Sequence, residues 1–198
     1  MDQALNTRKF ERIHALLFAV MVCFLVSVVY HYRQHFYFHG DSTATTPLFN
    51  PAAHFGDFFD IHRDVADRSP YAGSPCNYFP FAYIPPYLLT FFSFETAVSS
   101  YLITIIFGTI AFLLWALRDL PGGLKTRAIL VLLGMNYGFY FLLDRANWEG
   151  LIFLANAYFF ATYHSKSRLA RESGLIALAG AIASKGHPAV FLALLARD

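Results

Sequence analysis

The chain of 198 residues is 57% hydrophobic and only 14% charged, against roughly 25% charged in ordinary soluble domains, which argues against a soluble globular enzyme. An aromatic share of 18% sets aside a disordered segment or a coiled coil. The net charge of +2, with no basic stripe interleaved with aromatics, sets aside nucleic acid as a partner, and the integral membrane class is left.

Residues 13–32 form a 20-residue stretch without Asp, Glu, Lys or Arg, long enough to cross roughly 30 Å of hydrocarbon as a helix. Arg8, Lys9 and Arg12 precede it, and the run ends in bulky Val28, Val29, Tyr30 and His31, so it predicts an uncleaved anchor and not a signal peptide. Residues 1–12 are then a cytoplasmic N-terminus and residues 13–198 a polytopic membrane domain. Residues 33–95 hold Asp41, Asp57, Asp60, Asp64 and Asp67 and form the main extramembrane loop. Within it Phe55, Phe58, Phe59, Ile61 and Val65 partly follow helical spacing, predicting a short amphipathic helix on the membrane surface. Prolines at 70, 75, 80, 85 and 86 predict an irregular stretch before Pro86 opens a helix.

Residues 96–117 give a second uncharged span, closed by Arg118, Asp119 and the turn at Pro121. Residues 128–143 and 150–163 flank the polar sequence 144–149 as a hairpin of 16 and 14 residues, reaching about 24 and 21 Å against a core of roughly 30 Å. Residues 173–184 are a fifth apolar segment, interrupted at Lys185–Pro188, which fits either one helix or two half-helices. Three basic residues precede the first span, three lie between Arg118 and Arg127, and three between Lys166 and Arg171. Counting every span, all three groups fall on the cytoplasmic side, leaving loop 33–95 and turn 144–149 on the opposite face. The expected fold is all-α integral membrane, with about five transmembrane helices and a large non-cytoplasmic first loop. Cys23 in an apolar run and Cys76 in a Pro-rich loop are not expected to pair.

Few residues in this pattern carry chemistry. Asp57 and Asp60 stand on the surface helix, where a carboxylate can take a proton from a hydroxyl or simply form a solvated face. Arg145 and Glu149 are four apart and either pair within a helix or contact a phosphate and polar substrate groups, with Asn147 and Trp148 between them. Lys185, between an apolar run and Pro188, marks either a functional site or, with His187, a membrane–water turn. His31, His35 and His39 recur every fourth residue, but the Tyr and Phe around them fit an aromatic interface belt better than a metal site.

Three motifs follow one another in a set order. Asp57-Phe58 is followed by Pro70-Tyr71 and Tyr78-Phe79-Pro80, then by Asp144-Arg145-Ala146-Asn147-Trp148-Glu149-Gly150, then by Ser184-Lys185-Gly186-His187-Pro188. In this order they resemble the polytopic GT-C glycosyltransferases that use polyprenyl-phosphate sugars, within them glycosyltransferase family 87, a mannosyltransferase-like group. The second motif is similar to that family's Arg-Gly-Asn-x-Glu-type turn, with Ala146 in place of glycine, and the third to its Lys-x-x-Pro motif. Family members are typically far longer, so the resemblance covers an N-terminal part and implies a truncated chain.

The resemblance implies sugar transfer from a polyprenyl-phosphate donor to a hydroxyl on a glycan or glycolipid acceptor, with inversion, on the non-cytoplasmic face of the cell membrane. It implies no metal or other cofactor. Asp57 would be the general base and Asp60 its reserve, Arg145, Lys185 and His187 would hold the donor phosphate, and Asn147, Glu149, Tyr71 and Tyr78 would face sugar or acceptor. Two other classes stay open on the residues alone. One is a transporter or channel component lined by Arg145 and Lys185, for which the expected pair of similar halves is not seen. The other is a non-catalytic membrane subunit.

Overall fold

The structure, a computed structural model, describes residues 2–37, 45–46, 50–51, 55–67 and 78–195. In chain order its helices are α1 (Asp2–Phe36), α2 (Gly56–Asp67), α3 (Ile84–Leu89), α4 (Phe94–Ala116), α5 (Gly122–Gly134), α6 (Tyr137–Arg145), α7 (Glu149–Thr162), α8 (Arg168–Ser184) and α9 (Leu192–Leu195). Two 3-10 turns, Pro80–Tyr83 and His187–Phe191, and a two-residue antiparallel pairing of Thr45–Thr46 with Asn50–Pro51 complete the elements. The chain divides into two compact units, Met1–His54 with Leu117–Asp144, and Phe55–Ala116 with Arg145–Asp198.

In the first unit the uncharged run lies inside α1, which packs on α5 and turns Leu16, Phe18, Leu25 and Val26 outward. His31 stacks on Tyr137 with centroids 4.4 Å apart, and Phe24 meets Tyr140 at 6.5 Å. Of the other two histidines in the four-residue repeat, His39 and the side chain of His35 lie outside the described residues. The apolar run 128–143 is not one helix. Asn136 accepts a hydrogen bond from the Phe139 amide at 3.1 Å and so caps a new helix, and α5 and α6 meet at a 53° bend. An Asn oxygen satisfies an amide that a helix start leaves without an intrahelical partner, which makes the break inexpensive.

In the second unit the stretch expected to be an amphipathic helix is the helix α2, and Pro85 and Pro86 lie in the first turn of α3, where a missing amide costs nothing. Ser93 accepts from the Thr96 amide at 3.3 Å and caps α4. Ala97, Tyr101, Ile105 and Thr109, four apart, form its buried stripe. Small residues let the helices approach. A side-chain carbon at Gly108 of α4 would stand 2.7 Å from Leu154 of α7, and one at Gly150 of α7 would stand 2.8 Å from Ile105 and 2.9 Å from the Tyr101 hydroxyl. Helix α8, capped by Ser167, packs on α7 with Phe159, Leu178 and Ala181 buried.

The 3-10 turn at 80–83 lies against α8, and the Phe79 amide donates to the Ser184 carbonyl at 2.9 Å. The α8 helix stops at Lys185, which is extended (φ −157, ψ 133). Pro188 near the start of the following 3-10 turn has no amide with which to continue an α-helical ladder. Of the two arrangements the sequence left open, the interrupted one is therefore found.

The described residues are mostly helical, with short turns between the helices and the pairing of 45–46 with 50–51. Among the described residues two helices, Phe10–Gln34 within α1 and Phe94–Ala116, are long and apolar enough to cross a membrane, or three if the bent α5–α6 pair is one span. At 14 and 17 residues α7 and α8 reach only about 21 and 26 Å, so the expected count of about five spans is not met by helix length alone.

The α7–α8 contact gives a direct test. A side-chain carbon at Gly174 would collide with the Thr162 hydroxyl, so Gly174→Ala should destabilise the protein by about 1–3 kcal/mol, read as a lower midpoint of thermal unfolding in detergent. An unchanged midpoint would show that the two helices do not pack this closely.

Candidate functional site

The second unit gathers charged side chains from three distant stretches of sequence. Asp57 sits in the first turn of α2 and Arg145 in the last turn of α6, positions where acidic and basic residues are favoured by the helix dipole. The Arg145 Nε donates to both Asp57 oxygens at 2.9 Å, and its Nη2 also donates to Oδ1. The Asn147 side-chain amide donates to the second carboxylate oxygen. The Asn147 Oδ1 accepts in turn from the Glu149 backbone amide at 2.9 Å and from the Tyr78 hydroxyl at 3.2 Å.

A second ion pair lies across this amide. Lys185 donates to Glu149 Oε1, and its ammonium stands 5.0 Å from the centre of the Tyr78 ring, within cation–π range. The His187 Nε2 is 3.9 Å from Glu149 Oε2, too far for a hydrogen bond. His187 therefore stands at the rim, with its side chain 56% exposed.

The turn between α6 and α7 makes this convergence possible. Ala146 is fully buried and has φ +47, in the left-handed region, where a non-glycine residue costs roughly 1–2 kcal/mol. This is the position at which the family resembled above carries glycine. Trp148 is buried and stacks on Phe58, rings 5.1 Å apart and 17° from parallel. Its indole nitrogen has no hydrogen-bond partner among the described residues, so ring burial is what fixes it. Tyr101 lies 4.9 Å from Trp148 and donates its hydroxyl to the Asn147 carbonyl.

The structure thus brings together Asp57, Arg145, Asn147, Glu149, Lys185 and Tyr78. Arg145 and Glu149 do not share a helix; each takes a partner from elsewhere in the chain. Asp60 is not in the cluster, because it lies on the exposed side of α2 and pairs with Arg63 at 3.3 Å. Tyr71 lies outside the described residues. Tyr101 and Phe58 were not anticipated as supports of the site. The signal for Tyr101 was present in the sequence: a phenol in register with Ala97, Ile105 and Thr109 belongs to the buried stripe of a span and needs a buried acceptor.

The cluster can hold an anion on two cations, accept a proton on either carboxylate, and donate hydrogen bonds from an amide and a phenol. The turn itself is testable. Ala146→Gly relieves the left-handed strain but loses a buried methyl and loosens the unfolded chain, so stability should stay within about 1 kcal/mol of the parent. Ala146→Val places a branched side chain in the same strained, sealed position and should cost upwards of about 2 kcal/mol. Thermal unfolding of both variants checks this, and equal losses would rule out the left-handed turn. No family model, no curated protein and no solved structure matches the chain.

Proposed function

We propose that the chain is a multi-pass GT-C-type membrane glycosyltransferase, in which α7 and α8 add to the longer spans to give about five crossings. It moves a hexosyl group, of mannosyl type, from a polyprenyl-phosphate donor to a hydroxyl of a glycan or glycolipid. The site opens on the non-cytoplasmic face of the cell membrane. The observation that carries this proposal is the joining of one carboxylate, Asp57, to an Arg-x-Asn-x-Glu turn and to Lys185, in a helical protein with membrane-length apolar segments. Exposed Phe79, Phe81, Ile84 and Leu88 follow the cluster residue Tyr78 in the chain and suit an apolar lipid tail.

In the proposed reaction the acceptor O–H gives its proton to Asp57, and its oxygen forms a bond to the anomeric carbon. The bond from that carbon to the phosphate oxygen breaks, and its electron pair leaves with the polyprenyl phosphate. Arg145 and Lys185 neutralise the charge that develops on the leaving group, which is where such a displacement most needs help. Attack from the side opposite the phosphate inverts the anomeric centre. Asn147, Glu149 and Tyr78 supply hydrogen bonds to sugar or acceptor, and His187 stands at the entrance to the phosphate site.

The rival is a non-catalytic membrane subunit, favoured by the way both ion pairs close on themselves. Membranes containing the chain, supplied with a radiolabelled polyprenyl-phosphate sugar, separate the two. Transfer is expected, and Asp57→Asn should lower its rate by roughly 100-fold or more. Transfer indifferent to that substitution would remove Asp57 as the base, and no transfer from any such donor would favour the subunit.

A further inference from the structure

Both cations of the cluster are already neutralised, Arg145 by Asp57 and Lys185 by Glu149. Neither pair is sealed. The side chains are 33% and 19% exposed in the first pair and 31% and 34% in the second, so an incoming anion can reach both. The two halves of each pair are also held differently. Asp57 is short, lies in the first turn of α2, and keeps a second donor in Asn147. Phe58, the next residue, is buried against Trp148 and Tyr101 and anchors that turn. Glu149 begins α7 with its amide held by Asn147. The guanidinium and ammonium, by contrast, sit at the ends of long side chains with several rotatable bonds.

We propose that Asp57 and Glu149 are displaceable internal counterions, which surrender Arg145 and Lys185 to the phosphate of an anionic amphiphile when it binds. A phosphate offers a guanidinium the same bidentate geometry as a carboxylate and has a further oxygen for the ammonium. The exchange moves the cations and leaves the carboxylates where they are. It deepens the glycosyl-transfer proposal: Asp57 is occupied by Arg145 in the empty site and becomes available to an acceptor hydroxyl only after the donor phosphate has drawn Arg145 away. Binding is therefore ordered, donor before acceptor, and the site carries no net charge from these four groups while it is empty.

The consequence runs against the usual effect of removing a residue from a binding site. A cation held by its counterion binds phosphate only in the fraction of molecules where it is released, so deleting the counterion raises apparent affinity. The full chain in detergent, titrated with dodecyl phosphate by calorimetry, should bind about tenfold more tightly as Asp57→Asn than as the parent. The gain should vanish in an Arg145→Gln background. Glu149→Gln should behave likewise, with its gain lost in Lys185→Gln, and it gives an independent answer if Asp57→Asn does not fold.

The unsubstituted protein provides a further measurement. With 15N-labelled arginine, the Arg145 Nε–H resonance should shift as dodecyl phosphate saturates. Weaker or unchanged binding in both carboxylate variants, or a stationary Arg145 resonance in the saturated protein, would overturn the exchange. So would absence of binding by dodecyl phosphate and by inorganic phosphate alike, in parent and variants. Inorganic phosphate titrated in parallel distinguishes the source of the anion. If it alone shows the carboxylate-dependent gain, the exchange stands and the lipid-linked donor falls. If sugar transfer is found without any gain, the transfer stands and the exchange falls.

Discussion

Contact between Phe58 and Trp148 holds the cluster in register. Phe58 is completely buried, and burying a side chain of this size contributes about 1.5–3 kcal/mol, with roughly 0.5–1.5 more from stacking. That is enough to offset the roughly 1–2 kcal/mol of left-handed strain at Ala146, which lies two residues from Trp148. Once the ring pair is in place, Asp57 precedes one ring and Asn147 the other. The carboxylate and the amide then meet as a by-product of apolar packing. The Tyr101 hydroxyl on the Asn147 carbonyl ties the same turn to a membrane-length helix.

Close helix approach extends this constraint. Gly150, the residue after Glu149, lies against Tyr101 and Ile105, and Gly108 lies against Leu154. A side chain at Gly150 would crowd the Ile105 and Tyr101 side chains where α7 starts beside Glu149. Lys185 reaches Glu149 because α8 ends there and α8 is docked on α7 through Gly174 and Thr162. Small residues thus fix where the charges fall, although none of them carries charge or chemistry.

Charges beside apolar helices persist where they are paired. The pairing of Arg145 with Asp57 and of Lys185 with Glu149 meets that requirement using side chains of opposite sign from different segments. Under the proposed function it also meets a chemical one, because a site for an anionic donor needs two cations that do not repel each other while it is empty. Stability in the empty state and capacity for the anion then rest on the same four groups.

Several features were legible in the sequence because they depend on local order alone. The apolar runs of α1 and α4, the amphipathic pattern of α2, and the helix start at the 85–86 prolines follow from residue periodicity and backbone sterics. The break between α5 and α6 was obscured, because the apolar run 128–143 shows no charge at Asn136 and an amide cap reads as a tolerable residue within a span. The charged residues of the turn were visible too, but not their partners. Arg145 and Glu149 stand four apart and invite a pairing within one helix, which the left-handed Ala146 prevents by ending that helix. Asp57 and Asp60 were equivalent by composition, and only the packing of Phe58 turned one toward Arg145 and left the other on the exposed side with Arg63. The sequence by itself determined where the long apolar and amphipathic helices form and which residues carry charge, since propensity and hydropathy are properties of a few neighbouring residues. Tertiary structure decided which carboxylate meets which cation, because residues 57, 145 and 185 are brought together by ring stacking and glycine-mediated helix contacts that no local pattern records.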